Sequence, residues 1–158
     1  MRAAAVLLAA LALAGATTLA LAAEVTREEF VERAEPICKV SREESGRILA
    51  GVREKVKAGK LKPAAVQFEA ASKALEGTRK QLAALPRPAA DAARLGTWLT
   101  YMKQEAGLLG VVARKLRGGE KGEAERIGAK LTTTAVKANN EVAPFEFHYC
   151  VASPSQFT

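Results

Sequence analysis

Few residues in this chain are able to do chemistry, and their spacing restricts them further. There are two cysteines, Cys38 and Cys150, and one histidine, His148. A thiol and an imidazole two residues apart act as nucleophile and base only if they face each other and the sulfur is free. No C-x-x-C is present for metal binding or thiol exchange, and no C-x-x-C-H for covalent haem. In an oxidising compartment a lone pair of cysteines normally bridges. A Cys38–Cys150 disulfide is therefore expected, and it would remove the thiol from catalysis.

The carboxylates are placed where helix electrostatics alone accounts for them. Glu28, Glu29, Glu32 and Glu35 crowd the first turns of one helical segment, and Asp91, the sole aspartate, falls at the start of another. Acidic residues are favoured at helix N-termini. Glu43 and Glu44 read as solvated. A di-iron bundle needs paired Glu-x-x-His motifs, and a single histidine excludes it. Met102 lies mid-helix and His148 beyond the helices, so they do not suit a pair of axial haem ligands. Gly118-Gly119 lacks the strand–loop–helix context of a phosphate loop, and there is no G-x-S-x-G. No catalytic residue, metal site or cofactor is assigned. The remaining enzymatic reading is a hydrolase without a recognisable motif.

The elements that carry these residues are helical. The first opens at the capping box Thr26-x-x-Glu29. Its stripe, Phe30, Ala34, Ile37, Ser41, Ser45, Ile48, Val52 and Val56, follows a 3.6-residue period as far as a stop at Gly59. Pro36 lies inside it, which predicts a kink or short break near Glu35. The second starts near Pro63, with Phe68, Ala71, Leu75, Thr78, Leu82 and Leu85 as its stripe, and ends at Leu85-Pro86-Arg87-Pro88. The third runs from about Ala89 to Arg117 along Leu95, Trp98, Leu99, Met102, Ala106, Leu109, Val112 and Leu116. The fourth runs from about Lys121 to Glu141, with Ala124, Ile127, Leu131, Ala135, Ala138 and Val142 inward. Thr132 to Thr134, Asn139 and Asn140 form a band on it that reads as surface. Pro144 stops it, ahead of the aromatic segment Phe145 to Cys150. Short connections favour antiparallel neighbours. The predicted fold is all-α: an antiparallel up-down-up-down four-helix bundle with one disulfide, its first helix kinked at a proline. That topology places Cys38 and Cys150 at one pole.

Met1-Arg2 is followed by an uncharged run, Ala3 to Ala23, ending in Ala20-Leu21-Ala22-Ala23. This reads as a cleavable export signal; the competing reading is a retained membrane anchor. The expected organisation is a signal peptide over 1–23, a helical domain over 24–150 and a flexible tail over 151–158. Cleavage leaves a secreted or extracytoplasmic chain without a stable transmembrane span.

The segments Ala34-Glu35-Pro36-Ile37-Cys38, Leu85-Pro86-x-Pro88 and Phe145 to Cys150 resemble those of small uncharacterised exported helical proteins of high-GC actinobacteria. In those proteins an early Ile-Cys and a late Cys bracket the domain. The resemblance spans the mature chain and implies an exported bundle with one bridge. It transfers no activity and no catalytic residue.

Charge is the remaining pointer to function. The formal net charge is +7. Residues 24 to 45 carry seven acids against four bases, whereas residues 47 to 94 carry eleven bases against four acids. The bundle topology would gather Arg53, Lys55, Lys57, Lys60, Lys62, Arg114, Lys115, Arg117 and Lys121 at the pole opposite the cysteines. Helix dipoles account for cations at helix C-termini but not for Lys60 and Lys62, which flank an N-terminus. The expectation is a non-catalytic bundle at the cell envelope that binds an anionic component, lipid headgroups or a wall polymer, by electrostatics. Nucleic acid is disfavoured by export and by the lack of interleaved aromatics for base stacking. The alternative is a carrier of a small apolar ligand held between helices near Trp98, Tyr101 and Met102.

Overall fold

The computed structural model describes residues 24–152; the expected signal peptide and the tail beyond residue 152 lie outside them. Four long helices account for most of the described chain: α1 (Arg27–Ile48), α3 (Leu61–Ala83), α4 (Ala92–Arg117) and α5 (Lys121–Val142). A six-residue helix, α2 (Val52–Lys57), follows α1. Short 3-10 turns at Ala89–Asp91 and Ala143–Phe145 precede α4 and follow α5. There is no strand among the described residues.

The capping box forms as read. The Thr26 side chain accepts from the Glu29 backbone N–H, and the Glu29 carboxylate accepts from the Thr26 N–H. The helix then continues through Pro36 without interruption. Its break falls instead at Leu49–Gly51, where Gly51 takes a left-handed conformation with φ +66°. The cause is tertiary. The Gln67 amide on α3 donates to the carbonyls of Ile48 and Ala50, at 2.7 and 2.9 Å, and so satisfies groups the interrupted helix leaves open. Lys55 Nζ in turn donates to the Gln67 oxygen at 2.8 Å. The break turns Val52 onto Ala64, Ala65, Val112, Leu116 and Ala124.

A Cβ at Gly51 would meet nothing within 4 Å. Gly51→Ala is therefore expected to act through the backbone alone. A left-handed conformation costs an L-residue roughly 1–2 kcal/mol, and alanine's less disordered unfolded state offsets part of that. The expected loss is about 1 kcal/mol in urea unfolding. No loss would mean that the turn relaxes freely.

α3 lies against α4 and α4 against α5 along much of their lengths; α1 lies against α3, while α1 and α5 share no comparable interface. Three buried clusters fill the interior. One joins Phe30, Ala34 and Cys38 to Leu82, Leu95, Trp98, Ala138, Val142, Phe145, Phe147 and Cys150. A middle one holds Ala71, Leu109 and Leu131. The third gathers α2, the start of α3, the end of α4 and the start of α5. The helix spans expected from the stripes therefore hold to within a few residues, apart from the break after α1.

Candidate functional sites

Cys38 Sγ and Cys150 Sγ are 2.03 Å apart and their Cα atoms 4.9 Å, which is disulfide geometry. The residues around the bridge hold the C-terminal segment onto α1 and α5. Glu35 accepts from the backbone N–H groups of His148 and Tyr149. Asn139 and Ala152 exchange two bonds of 2.8 Å, amide to carbonyl and N–H to amide oxygen. Arg42 donates to the Val151 carbonyl at 2.8 Å. Helix-dipole electrostatics and a surface position do not fully account for Glu35 and Asn139. Both in fact receive the tail, and tertiary contacts over more than a dozen residues are invisible to a local pattern. Residues 151 and 152, expected to begin a flexible tail, are held by these bonds.

Asp91 also has a partner beyond its own helix. Arg27 grips it with two bonds, Nε to Oδ2 at 2.9 Å and Nη2 to Oδ1 at 2.8 Å. The hydrogen bonds and charge of Arg27 hold the Asp91 carboxyl below its usual range. The Arg27 guanidinium also lies 5.2 Å from the Phe145 ring centroid. His148 is exposed and meets the Tyr149 ring edge-on. Among the described residues no three His, Cys, Asp or Glu side chains cluster as metal ligands.

Eight of the nine basic candidates divide into two groups of four. Lys115 pairs with Glu120, Arg117 with Glu69 and Lys121 with Glu125, while Lys55 holds Gln67. Lys57, Lys60, Lys62 and Arg114 are exposed and form no ion pair among the described residues. Arg53 is exposed as well. An apolar groove of about 360 Å³ lies beside them. Val52, Val56, Phe68, Val112, Leu116 and Leu131 form its floor, and Arg53, Lys57 and Lys121 reach its edge with Glu125. The structure thus brings three of the nine together around one concave surface. Lys60 and Lys62 stand at the N-terminus of α3, which has no side-chain cap and no acid in its first turn.

Trp98 and Met102 are buried, at 2% and 7% exposure. Trp98 stacks on Phe147 with centroids 5.7 Å apart, and Phe147 stacks on Phe145. The closing aromatic segment is therefore part of the core. One residue on the same face of α4 escaped the sequence reading. Glu105 is only 4% exposed and continues the line Trp98, Met102, Glu105, Leu109 at 4-3-4 spacing. That register was legible, and it puts an acid on an apolar stripe. Burial pushes the Glu105 carboxyl up from 4.5 to about 7. It borders a cavity of about 100 Å³ with Trp98, Met102, Leu75, Thr78 and Leu109.

The fold and these two concavities define the class: among the described residues, an all-helical chain closed by one cysteine pair, with a basic-edged apolar groove and an acid-bearing cavity that opens to solvent. No protein-family model matches the chain, and no similar protein was found among curated proteins or solved structures.

Proposed function

We propose that the mature chain is an exported, non-catalytic, antiparallel up-down-up-down bundle, bent at Pro36, that acts at the cell envelope by binding an anionic lipid at its basic end. The observation that carries this reading is the groove whose floor is apolar and whose edge bears Arg53, Lys57 and Lys121. An acyl chain suits the floor and a phosphate suits the edge. Its volume falls at the lower end of small-molecule sites, roughly 300–1,000 Å³. Lys60 and Lys62 extend the positive surface at a helix N-terminus where dipole electrostatics disfavours them. Export is supported by the uncharged leader and by the cysteine pair at bridging distance. No described helix is long and apolar enough to cross a membrane.

The test is co-sedimentation with phosphatidylglycerol vesicles and with phosphatidylcholine vesicles at low and high salt. Binding is expected to anionic vesicles only and to weaken steeply with salt, because exposed charges are screened beyond about 8 Å at physiological ionic strength. Each lysine near an anionic surface is worth about 1 kcal/mol. Replacing Lys57, Lys60, Lys62 and Arg114 by Gln should therefore weaken binding by more than about tenfold. These four make no ion pair among the described residues, so the fold should survive. Equal sedimentation of wild type and variant would remove the basic end as a site. Retention on wall fragments but not on vesicles would replace the lipid by a phosphate-bearing polymer.

A further inference from the structure

The cavity beside Glu105 lies apart from the basic groove and carries a different chemistry. We propose that it is a binding site for a small organic amine, with the Glu105 carboxylate pairing the ammonium group and Trp98, Met102, Leu75 and Leu109 enclosing the hydrocarbon body.

Glu105 has 96% of its surface removed from solvent yet makes no hydrogen bond or ion pair among the described residues. No fully sealed side-chain polar atom there lacks a partner. The Glu105 carboxyl is therefore not sealed in the core but faces the cavity it lines. The cavity's other polar side chains are mostly engaged. Thr78 donates to Ser41 Oγ at 2.8 Å and lies 3.1 Å from the Ala74 carbonyl. Asn139 is held by Ala152 and Arg42 by the Val151 carbonyl. Glu105 is thus the buried charged group on this wall that lacks a donor.

An unpaired buried carboxyl costs free energy that a donor recovers, and an ammonium makes the stronger, charge-assisted bond. Arg42 and Tyr149 are the other titratable groups on the wall. Arg42 Nη2 is bound to the Val151 carbonyl and its guanidinium lies 5.8 Å from the Tyr149 ring, which holds the head group against the tail, and its charge does not contribute to the shift of the Glu105 carboxyl. A cavity of 150 Å³ holds benzene, so the space of about 100 Å³ suits an alkylamine of about four carbons. It opens to solvent, so a longer chain can protrude.

Trp98 is the single tryptophan, and its fluorescence reports on the wall directly. The mature protein is titrated with n-butylamine, 1-butanol and butyrate. Butylamine is expected to change the emission saturably at about tenfold lower concentration than butanol, the discrimination of one charge-assisted bond. Butyrate should give no saturable change. Glu105→Gln should abolish the preference for amine over alcohol. Ser45→Leu, on the half-buried part of the wall, keeps the acid but fills the cavity, and should exclude the amine if the Gln variant misfolds. The basic-end variant Lys57→Gln, Lys60→Gln, Lys62→Gln, Arg114→Gln should bind amine like wild type, so failure of the lipid reading and failure of this one are separable. Equal responses to amine and alcohol, stronger binding of butyrate, an amine preference that survives Glu105→Gln, or no saturable response would each overturn the proposal.

Discussion

Glu105→Gln is expected to stabilise the protein by about 3 kcal/mol above pH 8 and to leave it nearly unchanged at pH 4.5 and below. The folded carboxyl titrates near 7 and its usual value is 4.5. The native state therefore binds this proton more tightly than the unfolded chain does. Stability attributable to the neutral acid is complete below about pH 4.5, falls as the pH rises to about 7, and is level above that. The cause is desolvation of the charged form in a site without a partner. Gln copies the shape of the neutral acid and cannot ionise, so the difference between variant and wild type should open across that window. Urea unfolding at a series of pH values reads it directly. A difference that stays constant with pH would show that Glu105 is not held neutral by the fold. The Arg27–Asp91 pair acts in the opposite sense and at lower pH. Its contribution is present above the ordinary Asp value of 3.8 and is lost as the pH falls through the depressed native value. The two effects therefore occupy separate windows.

Removing the bridge should have an effect of similar size. The cysteines are 112 residues apart. The chain-entropy model gives roughly 4–5 kcal/mol for a loop of that length, and measured gains are commonly about 2–4 kcal/mol. Cys38→Ser combined with Cys150→Ser should lower stability by about 2–4 kcal/mol while leaving helical circular dichroism intact at low temperature. Intact helicity is expected because the tail has other attachments. Phe145 and Phe147 are buried against Phe30 and Trp98, and Glu35 and Asn139 hold the backbone on either side of Cys150. Free thiols on both cysteines in naturally exported protein would exclude the bridge. A loss of helix at low temperature would show that the tail contacts depend on it.

Much of the secondary structure was legible because helix formation and its punctuation are local. The stripe from Phe68 to Leu82 and that from Leu95 to Leu116 each describe one buried face, and the capping box at Thr26 and the glycines after Arg117 mark real ends. The two cysteines could be paired by count alone. α1 runs through Pro36 without a break, so a proline inside a helical stripe does not by itself end the helix. The chain instead turns at Gly51, where Gln67, nineteen residues beyond Ile48, accepts the task of bonding the open carbonyls.

The candidate sites divide along the same line. Sequence alone determined the charge asymmetry, the four long helical stripes, the lone cysteine pair and the scarcity of nucleophiles and metal ligands, since these depend on residue type and near-neighbour spacing. Only the tertiary structure decided that Arg53, Lys57 and Lys121 share one apolar groove, that Lys115 and Arg117 are matched by acids, that Glu35 and Asn139 grip the tail, and that Glu105 faces a cavity unpaired. Each of these depends on which distant segment covers a residue. That is set by how the helical faces fit together, and with it the local dielectric that makes one glutamate a solvated charge and another a buried acid.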